Sequence, residues 1–161
     1  MSWRLLFAVC IVGLAGCFAL ASGALAEADW ALGVCKPGVT DDRLMPLPAA
    51  LVDRARQVFG LAMPDEMIRR TTVYRCMDGK TWLCTTGANL ACGKADRRRD
   101  LPGVADWCRD HPASDTVPMF VIGHNTPYRW RCANGTPSIE ATVAPVDARG
   151  FLSRNWKDAG R

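Results

Sequence analysis

Leu51, Val52, Ala55, Val58 and Phe59 recur at three- and four-residue spacing, while Asp53, Arg54, Arg56 and Gln57 fill the positions between them. This pattern predicts an amphipathic helix from Ala49 to about Gly60, with Gly60 and Pro64 as stop signals. The stretch before it, residues 27–47, reads as irregular, punctuated by Gly33, Pro37, Gly38 and Pro46. Beyond it the pattern changes. Thr71 to Cys76 and Thr81 to Cys84 are rich in β-formers and flank Asp78-Gly79. An Asp-Gly pair in that position predicts a hairpin with a type I′ turn, which needs positive φ at both central residues. Gly87 to Lys94 reads as a loop. Leu101 to Asp110 predicts a short helix, with Pro102 in its first turn and Pro112 past its end. Val117 to Ile122 and Pro127 to Cys132 read as strands, Asn134-Gly135 as a second turn, and Ile139 to Val146 as the returning strand. Phe151 to Trp156 is expected to close the domain. Tyr74-Arg75-Cys76-Met77-Asp78-Gly79 is echoed by Trp130-Arg131-Cys132-Ala133-Asn134-Gly135, which suggests two hairpins of comparable geometry. The element order fits one small α+β domain, disulfide-stapled and mostly antiparallel sheet, with one or two short helices.

The N-terminal stretch changes the setting. Arg4 is the only charge before Glu27, an apolar run follows to about Leu20, and Ala24-Leu25-Ala26 has the A-x-A form of a cleavage site. Together these predict a secretory signal peptide over residues 1–26 and a single mature domain over 27–161, periplasmic or secreted. Two alternatives stay open. Leu14-Ala15-Gly16-Cys17 has the form of a lipoprotein box, which would anchor the chain to a membrane through Cys17, and an uncleaved helix is long enough to span.

Charge excludes one class of partner. The full chain carries +4, and the mature chain +3 once Arg4 is removed. That is too little for a nucleic-acid footprint.

The remaining cysteines are Cys35, Cys76, Cys84, Cys92, Cys108 and Cys132. Outside the cytoplasm an even set reads as a disulfide framework. None of their spacings is the C-x₂₋₄-C of a zinc site, and no C-x-x-C pair is present, so neither a metal nor a cofactor is expected. The expected pairing joins Cys92 to Cys108 and keeps Cys76 and Cys84 apart. Catalytic signals are thin. His124, in Gly123-His124-Asn125-Thr126-Pro127, is a weak candidate for a general base and otherwise a source of turn hydrogen bonds. Lys94-Ala95-Asp96-Arg97-Arg98-Arg99-Asp100 reads either as an anion-binding patch or, given its interleaved aspartates, as a solvated loop.

Strand alternation supplies the binding candidates. A two-residue turn at Asp78-Gly79 sets Cys76 opposite Thr81, Arg75 opposite Trp82 and Tyr74 opposite Leu83. Tyr74 and Cys76 then share one face, and Arg75 and Trp82 the other. On the later strand Tyr128, Trp130 and Cys132 oppose Arg129 and Arg131. With the cysteine faces inward, Arg75, Trp82, Arg129 and Arg131 are expected to point outward as a ligand-binding face for carboxylates, phosphates or sugars.

Tyr-Arg-Cys-Met-Asp-Gly-Lys-Thr-Trp-Leu-Cys at 74–84, Gly-Ala-Asn-Leu-Ala-Cys-Gly-Lys at 87–94, Tyr-Arg-Trp-Arg-Cys at 128–132 and Val146-Asp147-Ala148-Arg149-Gly150-Phe151 together resemble a group of uncharacterised exported cysteine-rich proteins of alphaproteobacteria. The resemblance implies export and disulfides, and no activity comes with it. A looser similarity, a Tyr-x-Cys strand followed by a Gly turn, links the chain to periplasmic inhibitors of c-type lysozyme. These readings favour a non-enzymatic binding or accessory module for a protein or an anionic envelope component. The alternatives are a small envelope enzyme using His124, a lysozyme-inhibitor-like protein and a structural accessory subunit.

Overall fold

The computed structural model describes residues 34–87 and 89–160. The expected signal segment with its cleavage site, and the alternative lipidation site at Cys17, lie outside these residues. The fold is the expected α+β class. A four-stranded antiparallel sheet has the order β1-β2-β3-β6, with β1 Asp41–Pro46, β2 Thr72–Met77, β3 Lys80–Thr85 and β6 Lys157–Asp158. A separate hairpin pairs β4, Tyr128–Ala133, with β5, Thr136–Thr142. Short helices fill the remainder.

A 3-10 turn at Ala49–Leu51 leads into α1, Val52–Phe59, which buries Val52 and Ala55 and ends at Gly60 in the left-handed conformation. Pro64 leads directly into a second helix, α2, Asp65–Thr71, with Asp65 and Glu66 in the first turn and Arg69 and Arg70 in the last. These charges complement the helix dipole at both ends, and Ile68 supplies the buried face. The proline expected to stop a helix starts one. Likewise β1 forms within the stretch read as irregular.

The Asp78-Gly79 and Asn134-Gly135 turns both have positive φ at their two central residues, as a type I′ turn requires. The β2–β3 register is the expected one, with Arg75 opposite Trp82, Cys76 opposite Thr81 and Tyr74 opposite Leu83. Gly79 also meets the N-terminal loop. Its N–H donates to Val39 O at 2.9 Å, and a Cβ there would lie 2.6 Å from Gly38 N.

α3, Pro102–Asp110, starts with its proline as predicted. Val117 to Ile122 corrects the strand expectation: after Pro118 the chain forms a four-residue helix, α4, Met119–Ile122. A short apolar run has no periodicity that separates strand from helix. Here the Val121 and Ile122 amides donate back to Pro118 O. Phe120 is left 77% exposed, edge-on to Trp107.

Three apolar clusters hold the domain. Leu47, Leu51, Val52, Ala55, Ile68 and Leu83 pack between the first helices and one face of the sheet. Val104, Cys108, Trp130 and Cys132 join α3 to the hairpin. Cys84, Cys92, Phe151 and Trp156 lie on the other face of the sheet, under the C-terminal segment. All six cysteines among the described residues are paired, as Cys35–Cys76, Cys84–Cys92 and Cys108–Cys132. The expected Cys92–Cys108 pair is therefore corrected. Cys92 turns back beneath β3 to meet Cys84, and the buried side of α3 carries Cys108 to β4. Cys76 and Cys84 take different partners, consistent with their opposite faces.

Candidate functional site

Of the four residues expected on one outward face, the structure divides the set between two sheets. Arg75 is a correction: it is 0% exposed. The alternation is right but the outward direction is not, because both faces of the β2–β3 hairpin are covered. The C-terminal segment lies on the Arg75 face. The guanidinium carbon sits 4.1 Å from the Phe151 ring centroid and 4.6 Å from that of Trp156, and Nη2 pairs with Asp147. Asp147 Oδ1 also accepts from the amides of Arg149 and Phe151 at 2.9 and 3.0 Å. Arg75 is thus held in the core by an anion and two aromatic rings. Trp82 is half-buried beside the Cys84–Cys92 cluster.

Arg129 and Arg131 do alternate outward on β4, with Trp130 and Cys132 buried. Arg129 is engaged by Glu140 at 2.6 Å, while Arg131 has no ion pair among the described residues. His124 lies on its loop with Nε2 3.3 Å from Asn89 Oδ1, a neutral amide rather than a carboxylate. Among the described residues no group of three or more His, Cys, Asp or Glu side chains is placed to hold a metal ion.

The charge run at 94–100 is more ordered than a solvated loop. Lys94 forms a backbone bridge with Phe151, the Ala95 amide donates to Gly150 O at 2.8 Å, and the Asp96 amide donates to Asn125 O at 2.9 Å. Asp96 accepts the Arg98 amide at 3.1 Å and pairs with its guanidinium at 2.7 Å. The Arg98 hydrogen bonds hold the Asp96 carboxyl below the usual carboxylate range. Lys94 is taken by Asp42 at 3.0 Å. Arg97 and Arg99 remain without an ion pair among the described residues.

Arg99 stands where the run meets α3. Its guanidinium carbon lies 5.5 Å from the Tyr128 ring centroid. Beside it is a surface depression of about 360 Å³, lined by Arg99, Asp100, Leu101, Pro102, Ala105 and Pro137. Two constraints fix its walls. Pro137 is opposite Cys132 in the β4–β5 register, and the Cys108–Cys132 disulfide ties α3 to β4. The floor is apolar, and its two prolines carry no backbone N–H.

Comparison with protein-family models, with curated proteins and with solved structures finds no match to this chain. The chemistry of the site is its own guide. A cation with no ion-pair partner among the described residues, beside an apolar depression held by a disulfide, is able to bind and orient an anion. Sequence reasoning offered Arg99 only within the run as a whole, because the interleaved aspartates favoured a solvated loop over an anion-binding patch. The usable signal was Asp96 two residues before Arg98, a local side-chain-to-backbone motif that accounts for one arginine and leaves its neighbours free. Asp147 was missed, and nothing in its spacing connects it to Arg75.

Proposed function

We propose that this chain is a non-enzymatic binding module, periplasmic or secreted, that captures a small anionic envelope component at Arg99. The observation that carries this reading is the Arg99-headed depression, an open surface hollow beside a guanidinium that lies over an aromatic ring. The three disulfides fit an oxidising, non-cytoplasmic compartment. Among the described residues no helix is long and apolar enough to cross a membrane. The resemblance to exported cysteine-rich proteins supports the same compartment.

The test is native mass spectrometry of the oxidised domain after incubation with small-molecule and lipid extracts of bacterial envelopes. The expected result is a bound mass that Arg99→Gln loses and Arg131→Gln keeps. No bound mass on the unaltered domain, or one that Arg99→Gln retains equally, overturns the proposal.

A further inference from the structure

The binding reading leaves the ligand open, and the lining of the depression narrows it. We infer that the occupant is a small amphiphile, a single carboxylate on an apolar body of about medium-chain length; this rests on the reading just given. Arg99 supplies the head contact. Its guanidinium carbon lies 5.5 Å from the Tyr128 ring centroid, and the guanidinium fork suits a carboxylate in two parallel hydrogen bonds. Asp100 is the one acid among the lining residues. Its carboxylate repels a phosphate dianion more than it repels a monoanion.

Leu101, Pro102, Ala105 and Pro137 decide the body of the ligand. Their side chains offer no hydrogen bond. A sugar would bury hydroxyls there unpaired, which weakens its binding. A peptide faces the same obstacle along its main chain. Pro137, on β5, also lacks the N–H that strand addition would use there. An acyl or aryl body asks nothing of these walls beyond apolar contact. The volume, about 360 Å³, falls at the lower end of ligand pockets, about 300–1,000 Å³, which favours a small free acid over a two-chain lipid.

The experiment titrates the oxidised domain with decanoate, decanol, acetate, decyl phosphate and a short peptide ending in leucine, following amide resonances by NMR. Decanoate is expected to shift the amides of residues 99–101 and 103–105 and that of Ser138, next to Pro137. It should bind about tenfold or more tighter than decanol, since a charge-assisted pair is lost in the alcohol. Acetate, lacking a body, and decyl phosphate should be weaker than decanoate. Arg99→Gln should erase the preference for decanoate over decanol, Ala105→Trp should block both by filling the depression, and Arg131→Gln should change neither. Arg99 is exposed, so its variant keeps the fold and preserves the test if Ala105→Trp misfolds. Equal binding of decanol and decanoate, tighter binding of the peptide or decyl phosphate, or no decanoate binding each overturns the amphiphile inference. If an Arg99-dependent bound mass from envelope extracts survives any of these results, the anion-binding reading stands and only the ligand class fails. If that mass is absent as well, both fail.

Discussion

Arg75 and Asp147 form a buried ion pair across 72 residues of chain, with Phe151 and Trp156 against the guanidinium. Removing one partner strands the other charge in the core, which typically costs about 3–5 kcal/mol. Arg75→Ala and Asp147→Asn are therefore expected to lower stability to that extent in urea unfolding. The double substitution Arg75→Met, Asp147→Asn, whose amide oxygen still accepts from the Arg149 and Phe151 amides, should recover much of the loss. If Arg75→Ala unfolds at the same urea midpoint as the parent, the pair has no structural role.

The three disulfides close segments of very different length, with separations of 41, 24 and 8 residues. Chain entropy alone then ranks them at about 4, 3.5 and 2.5 kcal/mol in that order. Peptide mapping without reduction should recover Cys35–Cys76, Cys108–Cys132 and Cys84–Cys92. Replacing each pair by alanine should lower stability in the stated order. A recovered Cys92–Cys108 peptide would contradict the fold.

Acid should loosen the junction between β1 and the C-terminal segment. Asp42 accepts from Arg149 at 3.0 Å and Lys94 at 3.0 Å. The Arg149 hydrogen bonds, with a smaller share from Lys94, hold its carboxyl below the ordinary range despite partial burial. A carboxyl lowered on folding contributes stability above its unfolded pKa and loses it as pH falls through the folded value. The contribution is thus full above about pH 4, the ordinary Asp range, and is lost as the pH falls further. Asp42→Asn should flatten this part of the stability-against-pH curve, and an unchanged acid limb would show that the contacts carry no linkage.

Gly60 and Gly79 separate two costs of a side chain. Both have positive φ, but a Cβ at Gly60 meets open space while one at Gly79 meets the backbone of Pro37 and Gly38. Gly60→Ala should cost about 1–2 kcal/mol, the left-handed penalty alone. Gly79→Ala should cost more, because the N-terminal loop must move. Thermal unfolding of the two variants gives the comparison, and equal losses would place the Gly38 loop elsewhere.

How much of the molecule was legible depends on whether the cause was local. The two Asx-Gly turns, the β2–β3 register and the start of α3 at Pro102 follow from neighbouring residues and were readable. α2 was not, since Pro64 serves equally as the end of one helix and the start of another, and the decision falls to Asp65 and Glu66 behind it. α4 turned on whether the apolar run from Val117 to Ile122 would bury a strand face. It packs beside α3 instead, and a run that short fits either state. The direction of Arg75 was unreadable for a different reason. Alternation tells which residues share a face, and only the rest of the chain tells what covers it. The same holds for Arg99, whose value as a site comes from Pro137, a residue brought beside it by the β4–β5 hairpin.

The cover over Arg75 comes late in the chain. Asp147, Phe151 and Trp156 all follow the second hairpin. A polypeptide emerging from its N-terminus therefore carries an arginine on an open sheet face, with no anion to meet it, until this segment has been delivered. Closing the core waits on residues 147–156, and a product cut short before Asp147 lacks the anion and both rings that hold Arg75.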